Sequence, residues 1–264
     1  MENLDVQNVD VEMKDVRNED RSHLDIYSAD PERAQAAVKK IRNGIIGSNR
    51  QKTGVFQQKM VPRLLTLLSD PESPLGLKTE IAVVLSSIAR GTQEQVAQLI
   101  SSALNSSDLK LIEACLRCLR SIFNSNLAPV DKLYEDSSVV TVLLNILPRS
   151  SVCQECVPAI LNRCCVSETH QALLCHAGLI DCLAPSLFSE SPKIILPALQ
   201  CFGSLFRGNP DTSSALMSAK FSSRRVLEKI TMLMRRDQQT DIQLAAAKWY
   251  WKFFLQFHKL ILNK

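Results

Sequence analysis

Two Cys-x-x-Cys pairs are the residues of this sequence whose types and spacing could support chemistry. The first pair, Cys115 and Cys118, lies in the stretch IEACLRCLRSIF, and the second pair is Cys153 and Cys156. Two converging pairs can hold structural zinc, and a single pair at a helix N-terminus can be a redox centre. The elements that carry these cysteines therefore decide between metal binding, redox catalysis and packing.

The first pair lies in a segment with the periodicity of an amphipathic helix. Its apolar residues recur at offsets 0, 3, 4, 7, 10 and 11 from Ile112, which is one stripe of a helix. Cys115 falls in this stripe and Cys118 beside it, so we expect both to pack as small apolar residues. A redox pair would instead begin a helix, where the helix dipole lowers the thiol pKa. Redox catalysis is therefore disfavoured.

A zinc site shared by the two pairs is the stronger alternative. The pairs are separated by 34 residues, whereas zinc ribbons separate theirs by about 15–20 and place them on loops. On neighbouring helices about 9 Å apart, the pairs would lie one turn out of register. All four sulfurs would have to reach one ion at about 2.3 Å, so zinc is also disfavoured.

A further group of metal-binding residue types spans a predicted helix and the loop after it: Cys164, Cys165, His170, Cys175 and His176. Packed thiols and solvated imidazoles are the favoured interpretation. The sequence has no nucleophile elbow and no phosphate-binding glycine loop, and its histidines have no fixed acidic partner. We therefore predict a protein that is not an enzyme and has no catalytic residues, metal or cofactor.

Composition and charge divide the chain. With 45% hydrophobic and 22% charged residues in 264, it can bury a sizeable core. Residues 1–30 hold nine acidic and three basic residues, which predicts a disordered acidic tail, while residues 31–264 carry a net charge of +10. The sequence has no long uncharged apolar run and no signal peptide, and its nine cysteines are expected to stay reduced. These features indicate the cytoplasm and nucleus.

An internal repeat sets the architecture. Six helix-like segments each place an apolar residue before a small or polar pair. These anchor residues are Ile41, Leu85, Leu119, Leu161, Phe202 and Tyr250. Their spacings are 44, 34, 42, 41 and 48 residues, a period typical of armadillo or HEAT repeats of two or three helices.

Each repeat is predicted to contain a short first helix, an apolar second helix and a long third helix that carries the anchor. Second helices include MVPRLLTLLSDPE and the segment after Ala177-Gly178. Pro158 and Pro197 fall inside predicted third helices, which we expect them to kink or to delay. No segment alternates with period two, so essentially no β-structure is expected. The prediction for residues 31–264 is an all-α, right-handed armadillo-repeat superhelical solenoid of about five repeats plus a terminal helix.

Four segments are more specific than the repeat period. IEACLRCLRSIF, LKTEIAVVLSSIARGT (77–92), IRNGIIGSNRQK (41–52) and VPRLLTLL (61–68) resemble the N-terminal repeats of the armadillo repeat-containing protein 8 family. The likeness is close through about residue 125, looser from 126 to 248, and absent before residue 24. Members of this family are subunits of the CTLH (Gid-type) E3 ubiquitin ligase complex.

The resemblance implies a non-catalytic scaffold or adaptor that acts in ubiquitin-dependent degradation through protein–protein contacts. The RING subunits of such a ligase are separate chains. Family members are much longer and hold the substrate receptor in their C-terminal repeats, so docking to the ligase core is the contact expected here. The alternative is a peptide-binding armadillo adaptor of catenin or importin type, in transport or adhesion.

The concave face of a helical solenoid binds extended peptides or partner subunits. Importin-α carries Trp two residues before the anchor and Asn two residues after it, whereas this chain has one Asn and no Trp there. Several cations occupy these positions instead, which suits an acidic partner and not a basic peptide. The predicted contact strip is Arg117, Arg120, Arg163, Lys248 and Lys252. Basic residues are otherwise scattered, so neither nucleic acid nor membrane is an expected partner.

The C-terminal helix is unusually aromatic. Six of the chain's fourteen aromatic residues lie between Trp249 and Phe257. A terminal solenoid helix should be polar outside, so this one needs a cover. Packing on Leu227, Ile230 and Leu233, a self-association or partner surface, and a basic membrane-surface helix are all compatible with the sequence.

Overall fold

The computed structural model describes residues 24–88, 93–125 and 128–262, and most of these residues are helical. The α-helices are α1 (Pro31–Ile45), α2 (Asn49–Gln57), α3 (Met60–Ser69), α4 (Leu75–Ile88), α5 (Gln93–Leu104), α6 (Leu109–Phe123), α7 (Ser137–Ile146), α8 (Ser151–Cys164), α9 (Glu168–His176), α10 (Leu179–Leu183), α11 (Pro192–Leu205), α12 (Pro210–Ser218), α13 (Val226–Met232) and α14 (Thr240–Leu262). Short 3-10 helices span Leu24–Tyr27, Val130–Leu133, Leu147–Arg149 and Ala184–Phe188. The predicted all-α class is confirmed.

The described residues divide into two compact units. One contains residues 24–88 and 101–118, and the other contains 93–100, 119–125 and 128–262. The dividing points fall inside α5 and α6. The sequence had suggested one repeat domain over residues 31–264.

In the first unit, α1 and α3 both pack on α4. Val38 and Ile45 lie on the buried face of α1, and Ile81 and Leu85 lie on that of α4. These residues recur at helical spacing, so the amphipathic pattern read from the sequence is the packing pattern of the unit.

Residues 24–30 require a correction to the predicted acidic tail. The 3-10 helix Leu24–Tyr27 contacts α1 and α3, and Ile26 is fully buried. Arg63 donates a hydrogen bond to the Ile26 carbonyl at 3.1 Å, and its guanidinium lies 5.7 Å from the centre of the Tyr27 ring. One buried apolar side chain, one hydrogen bond and one cation–π contact outweigh the acidic composition here. Residues 1–23, the rest of the predicted tail, lie outside the described residues.

In the second unit, the predicted order of first, second and third helices holds for two consecutive repeats. α9, α10 and α11 form one repeat, and α12, α13 and α14 form the next. Among the third helices, α8 contacts α11 and α11 contacts α14, while α13 packs on α14. The short spacing of 34 residues between Leu85 and Leu119 has a simple cause, because α5 is the one helix described between α4 and α6.

Polar N-cap side chains begin the helices that follow loops. Asp136 accepts a hydrogen bond from the Ser138 amide at 2.8 Å, and Ser150 accepts one from the Cys153 amide at 3.2 Å. These caps satisfy amides that have no partner within the helix. The same role is played by Asp30, Ser167 and Asn209.

Four of the six predicted anchor residues are core residues. Leu85, Leu119, Leu161 and Phe202 are at most 1% exposed. Ile41 is half-buried, while Val38 and Ile45 on either side of it are buried. In α14 the prediction is wrong by one residue, because Tyr250 is 37% exposed and Trp249 is 4% exposed. Ile242 and Ala246 are buried four residues apart on one face of α14, and Trp249 lies on the same face.

The third helices do not begin late at their prolines, which was one of the two effects expected of Pro158 and Pro197. α8 and α11 run without interruption through Pro158 and Pro197 and start well before them. Burial of both helices against their neighbours retains helical structure around each proline. Among the described residues, strand structure is confined to a two-residue antiparallel hairpin, as the expectation of essentially no β-structure requires. It pairs Lys220–Phe221 with Arg224–Arg225, and Ser222 and Ser223 turn the chain with positive φ angles of 49° and 67°.

The apolar helices are short or bent. Met60–Ser69 and Ser138–Arg149 are apolar but have only 10–17 residues. No single helix within the described residues is long and apolar enough to cross a membrane, and one bent pair, Glu168–His176 with Leu179–Phe188, meets the criterion by length and composition alone.

Replacing Ile26 by Ala tests the docking of the segment before α1. Because Ile26 is fully buried, the substitution should lower the free energy of unfolding by about 2–4 kcal/mol. Ile46→Ala is the matched control, since Ile46 is 66% exposed and should lose less than about 0.5 kcal/mol. Urea denaturation followed by circular dichroism measures both. Equal losses for the two variants would show that the segment does not dock.

Candidate partner-binding groove

The first Cys-x-x-Cys pair is part of the core. Cys115 and Cys118 are fully buried inside α6, well after its first turn. Burial raises the pKa of Cys115 to about 12 and also raises the pKa of Cys118. A thiol held in its neutral form is a poor nucleophile, so this geometry matches the packing role predicted from the periodicity.

The second pair is also buried and lies in the other compact unit. Cys153 and Cys156 belong to α8, and the Ser150 hydroxyl lies 3.3 Å from the Cys153 sulfur. Among residues 24–88, 93–125 and 128–262, no three His, Cys, Asp or Glu side chains are grouped so that they could hold a metal ion. Seven of the nine cysteines are buried and two, Cys175 and Cys182, are half-buried, so most of these thiols pack in the helix core.

The mixed Cys and His group is packed more tightly than expected. Burial raises the pKa of Cys165 to about 12 and that of Cys175 to about 11. The expectation of solvated imidazoles is wrong for His170, whose ring stacks on Tyr134 at 4.1 Å and 8°. His176 donates from Nδ1 to the Ala172 carbonyl at 2.7 Å. The Tyr134 hydroxyl donates to the Cys164 carbonyl at 2.9 Å, so this loop and helix are held by ring and backbone contacts.

A groove of about 370 Å³ opens between the end of α11 and the middle of α14. It is lined by Gly203, Phe206, Arg207, Gly208, Trp249, Lys252, Phe253 and Leu255. Gly203 has no side chain to fill this space, and a Cβ there would lie 3.3 Å from Trp249 Cδ1. Gly208 turns the chain out of α11 with φ of +74°, a left-handed conformation that glycine adopts without strain.

Aromatic rings form the floor of the groove. Phe206 meets Trp249 edge to face with ring centres 6.4 Å apart, and Trp249 stacks on Phe253 at 5.1 Å. Phe202 lies behind Phe206 at 5.9 Å. These contacts join two consecutive third helices and give the groove a rigid apolar base.

Cations form the rim. Arg207 and Lys252 are exposed and line the groove above the aromatic rings. Arg207 donates to the Ser204 hydroxyl at 3.4 Å, and that hydroxyl donates to Asn162 Oδ1 at 2.7 Å. Gln171 donates to the carbonyls of Ser204 and Arg207, both at 2.9 Å, and so closes the last turn of α11. An apolar floor with a positive rim suits an extended acidic segment that carries apolar side chains.

The predicted contact strip is only partly available for binding. Arg120 forms an ion pair with Glu155 of α8, and this carboxylate holds the pKa of Arg120 above its ordinary value. Arg117 belongs to the first unit and lies 3.5 Å from Glu113 one turn away. Arg163 donates to the Asn124 carbonyl at 3.3 Å.

The two lysines of the strip lie on α14. Lys252 lines the groove, and Lys248 is exposed one turn earlier. Of the five residues of the predicted strip, Lys252 alone lines the groove. Gly203, Phe206 and Arg207 do not occupy the positions two residues before or after an anchor, so the repeat pattern does not predict them. Gly203 directly follows the anchor Phe202, and Phe206 and Arg207 lie four and five residues after it. The Arg207-Gly208-Asn209-Pro210 turn was the sequence feature that could have located this end of the groove.

Curated proteins are similar in sequence to this chain over most of its length. No protein-family model matches it. Armadillo repeat-containing protein 8 of Danio rerio is 36% identical over 245 residues, which are 89% of this chain and 36% of that protein. The Xenopus laevis protein is 37% identical over 245 residues, 89% of this chain and 34% of that protein. The resemblance is confirmed, and the chain spans about a third of the length of these curated relatives.

Solved armadillo repeat proteins share the fold. One designed armadillo repeat protein matches with a TM-score of 0.74 at 18% identity, over 88% of this chain and 98% of that chain. Another, solved in complex with the peptide (KR)4, matches with a TM-score of 0.74 at 19% identity over the same shares. These matches confirm the predicted armadillo-type fold.

The reactivity of the half-buried Cys175 provides a pH test of how burial shifts the thiol pKa. With a pKa near 11, its thiolate fraction should rise about tenfold per pH unit between pH 7 and pH 9. Alkylation of the native protein by iodoacetamide, followed by mass spectrometry, should show this rise for Cys175 and little labelling of Cys115. If the series is extended to pH 10, a labelling rate that levels off above about pH 9.5 would indicate an ordinary thiol pKa of about 8.5.

Arg120 and Arg117 should differ in their effect on stability. Arg120→Gln removes an ion pair whose side chains are 35% and 29% exposed and should cost about 1–2 kcal/mol. Arg117→Gln should cost less than about 0.5 kcal/mol, because its pair with Glu113 is more exposed. Urea denaturation of both variants, with Glu155→Gln to complete a double-mutant cycle, measures the coupling. A coupling of zero would mean that the Arg120–Glu155 pair contributes nothing to the fold.

Proposed function

We propose that this chain, which is similar to armadillo repeat-containing protein 8 over 89% of its length, is a non-catalytic scaffold or adaptor subunit of a CTLH (Gid-type) E3 ubiquitin ligase. The armadillo fold and these relatives support a repeat protein that is used for protein–protein interaction. In this role the chain docks to the ligase core and acts in ubiquitin-dependent degradation. Its proposed location is the cytoplasm and nucleus.

The groove between α11 and α14 carries the proposal. Its aromatic floor offers desolvated contact area, and Arg207 and Lys252 at its rim favour carboxylates. We assign its occupant as an acidic segment of a ligase core subunit with one or two apolar side chains. Binding of this kind needs no catalytic group.

The alternative is a peptide-binding adaptor of catenin or importin type in transport or adhesion. A structural neighbour was solved with the basic peptide (KR)4. The groove described here has cations at its rim, so it would repel such a peptide. The charge of the groove therefore favours the ligase adaptor over an import receptor.

Affinity purification of the tagged chain from its own cells, with partners identified by mass spectrometry, tests the proposal. We expect ligase core subunits to be recovered. Recovery of transport or adhesion proteins without ligase subunits would favour the alternative. Recovery of neither would contradict both functions.

Charge reversal at the rim tests the groove itself. Arg207→Glu with Lys252→Glu should reduce recovery of the core at least about tenfold, since both cations face the bound segment. Lys193→Glu with Lys220→Glu is the matched control, because both lysines are exposed and neither lines the groove. Equal losses in the two double variants would remove the groove from the interface.

A further inference from the structure

The groove between α11 and α14 fits an acidic segment with apolar side chains, and the chain's own first residues have this composition. Residues 1–13, MENLDVQNVDVEM, contain four acidic residues and neither lysine nor arginine. No other window of 13 residues in the chain does so. The apolar residues of the segment are Met1, Leu4, Val6, Val9, Val11 and Met13. The sequence thus supplies one segment of the composition that the groove selects.

We propose that residues 1–13 occupy this groove in the same chain and so compete with the acidic segment of a ligase core subunit. The competition rests on the proposed function, whereas the docking itself rests on the groove and on charge complementarity. Residues 1–23 reach up to about 75 Å when fully extended, so the segment can bind far from Leu24, where the described chain begins. A tethered segment has a millimolar effective concentration, so weak contacts are sufficient.

Opposite charges favour this pairing. The four acidic side chains of residues 1–13 give the segment a charge of −4, since it has no basic side chain. Arg207 and Lys252 are exposed at the rim, and neither has a carboxylate partner among the described residues. Lys248 adds a third exposed cation one turn before Lys252. Carboxylates at this rim therefore gain attractive contacts, which salt should weaken.

The alternation of residue types in the segment matches the floor and the rim of the groove. Val9, Val11 and Met13 alternate with Asp10 and Glu12. In an extended chain, successive side chains point to opposite sides. The apolar side chains then meet the aromatic floor, while both carboxylates face the cations at the rim. A space of about 370 Å³ holds a few side chains and is in the range of ligand pockets.

Zero-length cross-linking of the full chain tests the docking without any ligase subunit. A water-soluble carbodiimide joins a lysine amine to a carboxylate only where the two are in contact. We expect Lys252 to be linked to residues 1–13 in the monomer band, with a yield at least about threefold lower in about 0.5 M than in about 0.05 M NaCl. Lys193 and Lys220 are the controls, because both are exposed outside the groove. No link to Lys252, equal links to the controls, or links only in the dimer band would overturn the proposal.

Substitution of apolar residues separates docking in the groove from charge attraction alone. Val9→Ser with Val11→Ser keeps every carboxylate but removes the contacts with the aromatic floor, so the yield of the Lys252 link should fall at least about fivefold. Val16→Ser, outside the segment, is the control and should leave the yield unchanged. Equal yields for the two variants would show attraction without docking and contradict the proposal.

Affinity purification of the tagged chain tests the competition. Asp10→Asn with Glu12→Gln should raise the recovery of ligase core subunits at least about threefold, because the neutral segment no longer holds the cations of the rim. Asp15→Asn with Glu19→Gln removes the same charge outside the segment and should leave recovery unchanged. Equal recovery with the two variants would overturn the competition. A Lys252 link without recovery of the ligase by any variant would instead contradict the proposed function and support the docking.

Discussion

Stacking of third helices is the contact on which the second unit depends. α11 lies in contact with both α8 and α14, and its residues Leu199 and Phe202 are fully or almost fully buried. A helix that is apolar on so much of its surface cannot be covered by its own repeat, so neighbouring repeats must supply the cover. Each repeat is therefore stable only beside its neighbours. α14, the last described third helix, has an outer face for which the described residues supply no neighbour.

Charged side chains reinforce this stacking at regular places. Arg42 of α1 pairs with Glu80 of α4 at 2.6 Å, and Arg120 of α6 pairs with Glu155 of α8. Both arginines immediately follow an anchor, and both carboxylates lie about one and a half turns before the next anchor. Two of the repeats thus encode an ion pair as well as an apolar core. Partly buried pairs of this kind fix which helix faces meet more than they add to stability.

The sequence was sufficient for the architecture because helical periodicity and the anchor spacing report burial directly. Leu119, Leu161 and Phe202 were identified as core residues from spacing alone. The groove could not be found in this way. It depends on the missing side chain of Gly203 and on an arginine beyond the helix end, and neither feature repeats from one anchor to the next. The sequence shows which positions near an anchor hold cations. It does not show whether a carboxylate such as Glu155 pairs with them, because that depends on tertiary contacts.

The residue after each anchor explains why the groove lies where it does. Arg42 and Arg120 hold this position in α1 and α6 and pair with carboxylates. Shorter residues hold it in the other helices: Ser86 in α4, Asn162 in α8 and Gly203 in α11. Without a long side chain at position 203, Trp249 approaches the α11 backbone and the space above it stays open. In this part of the chain the cations are Arg207 and Lys252, and no carboxylate partner is found for either among the described residues. The same repeat position therefore joins helices in one part of the chain and opens a binding surface in another.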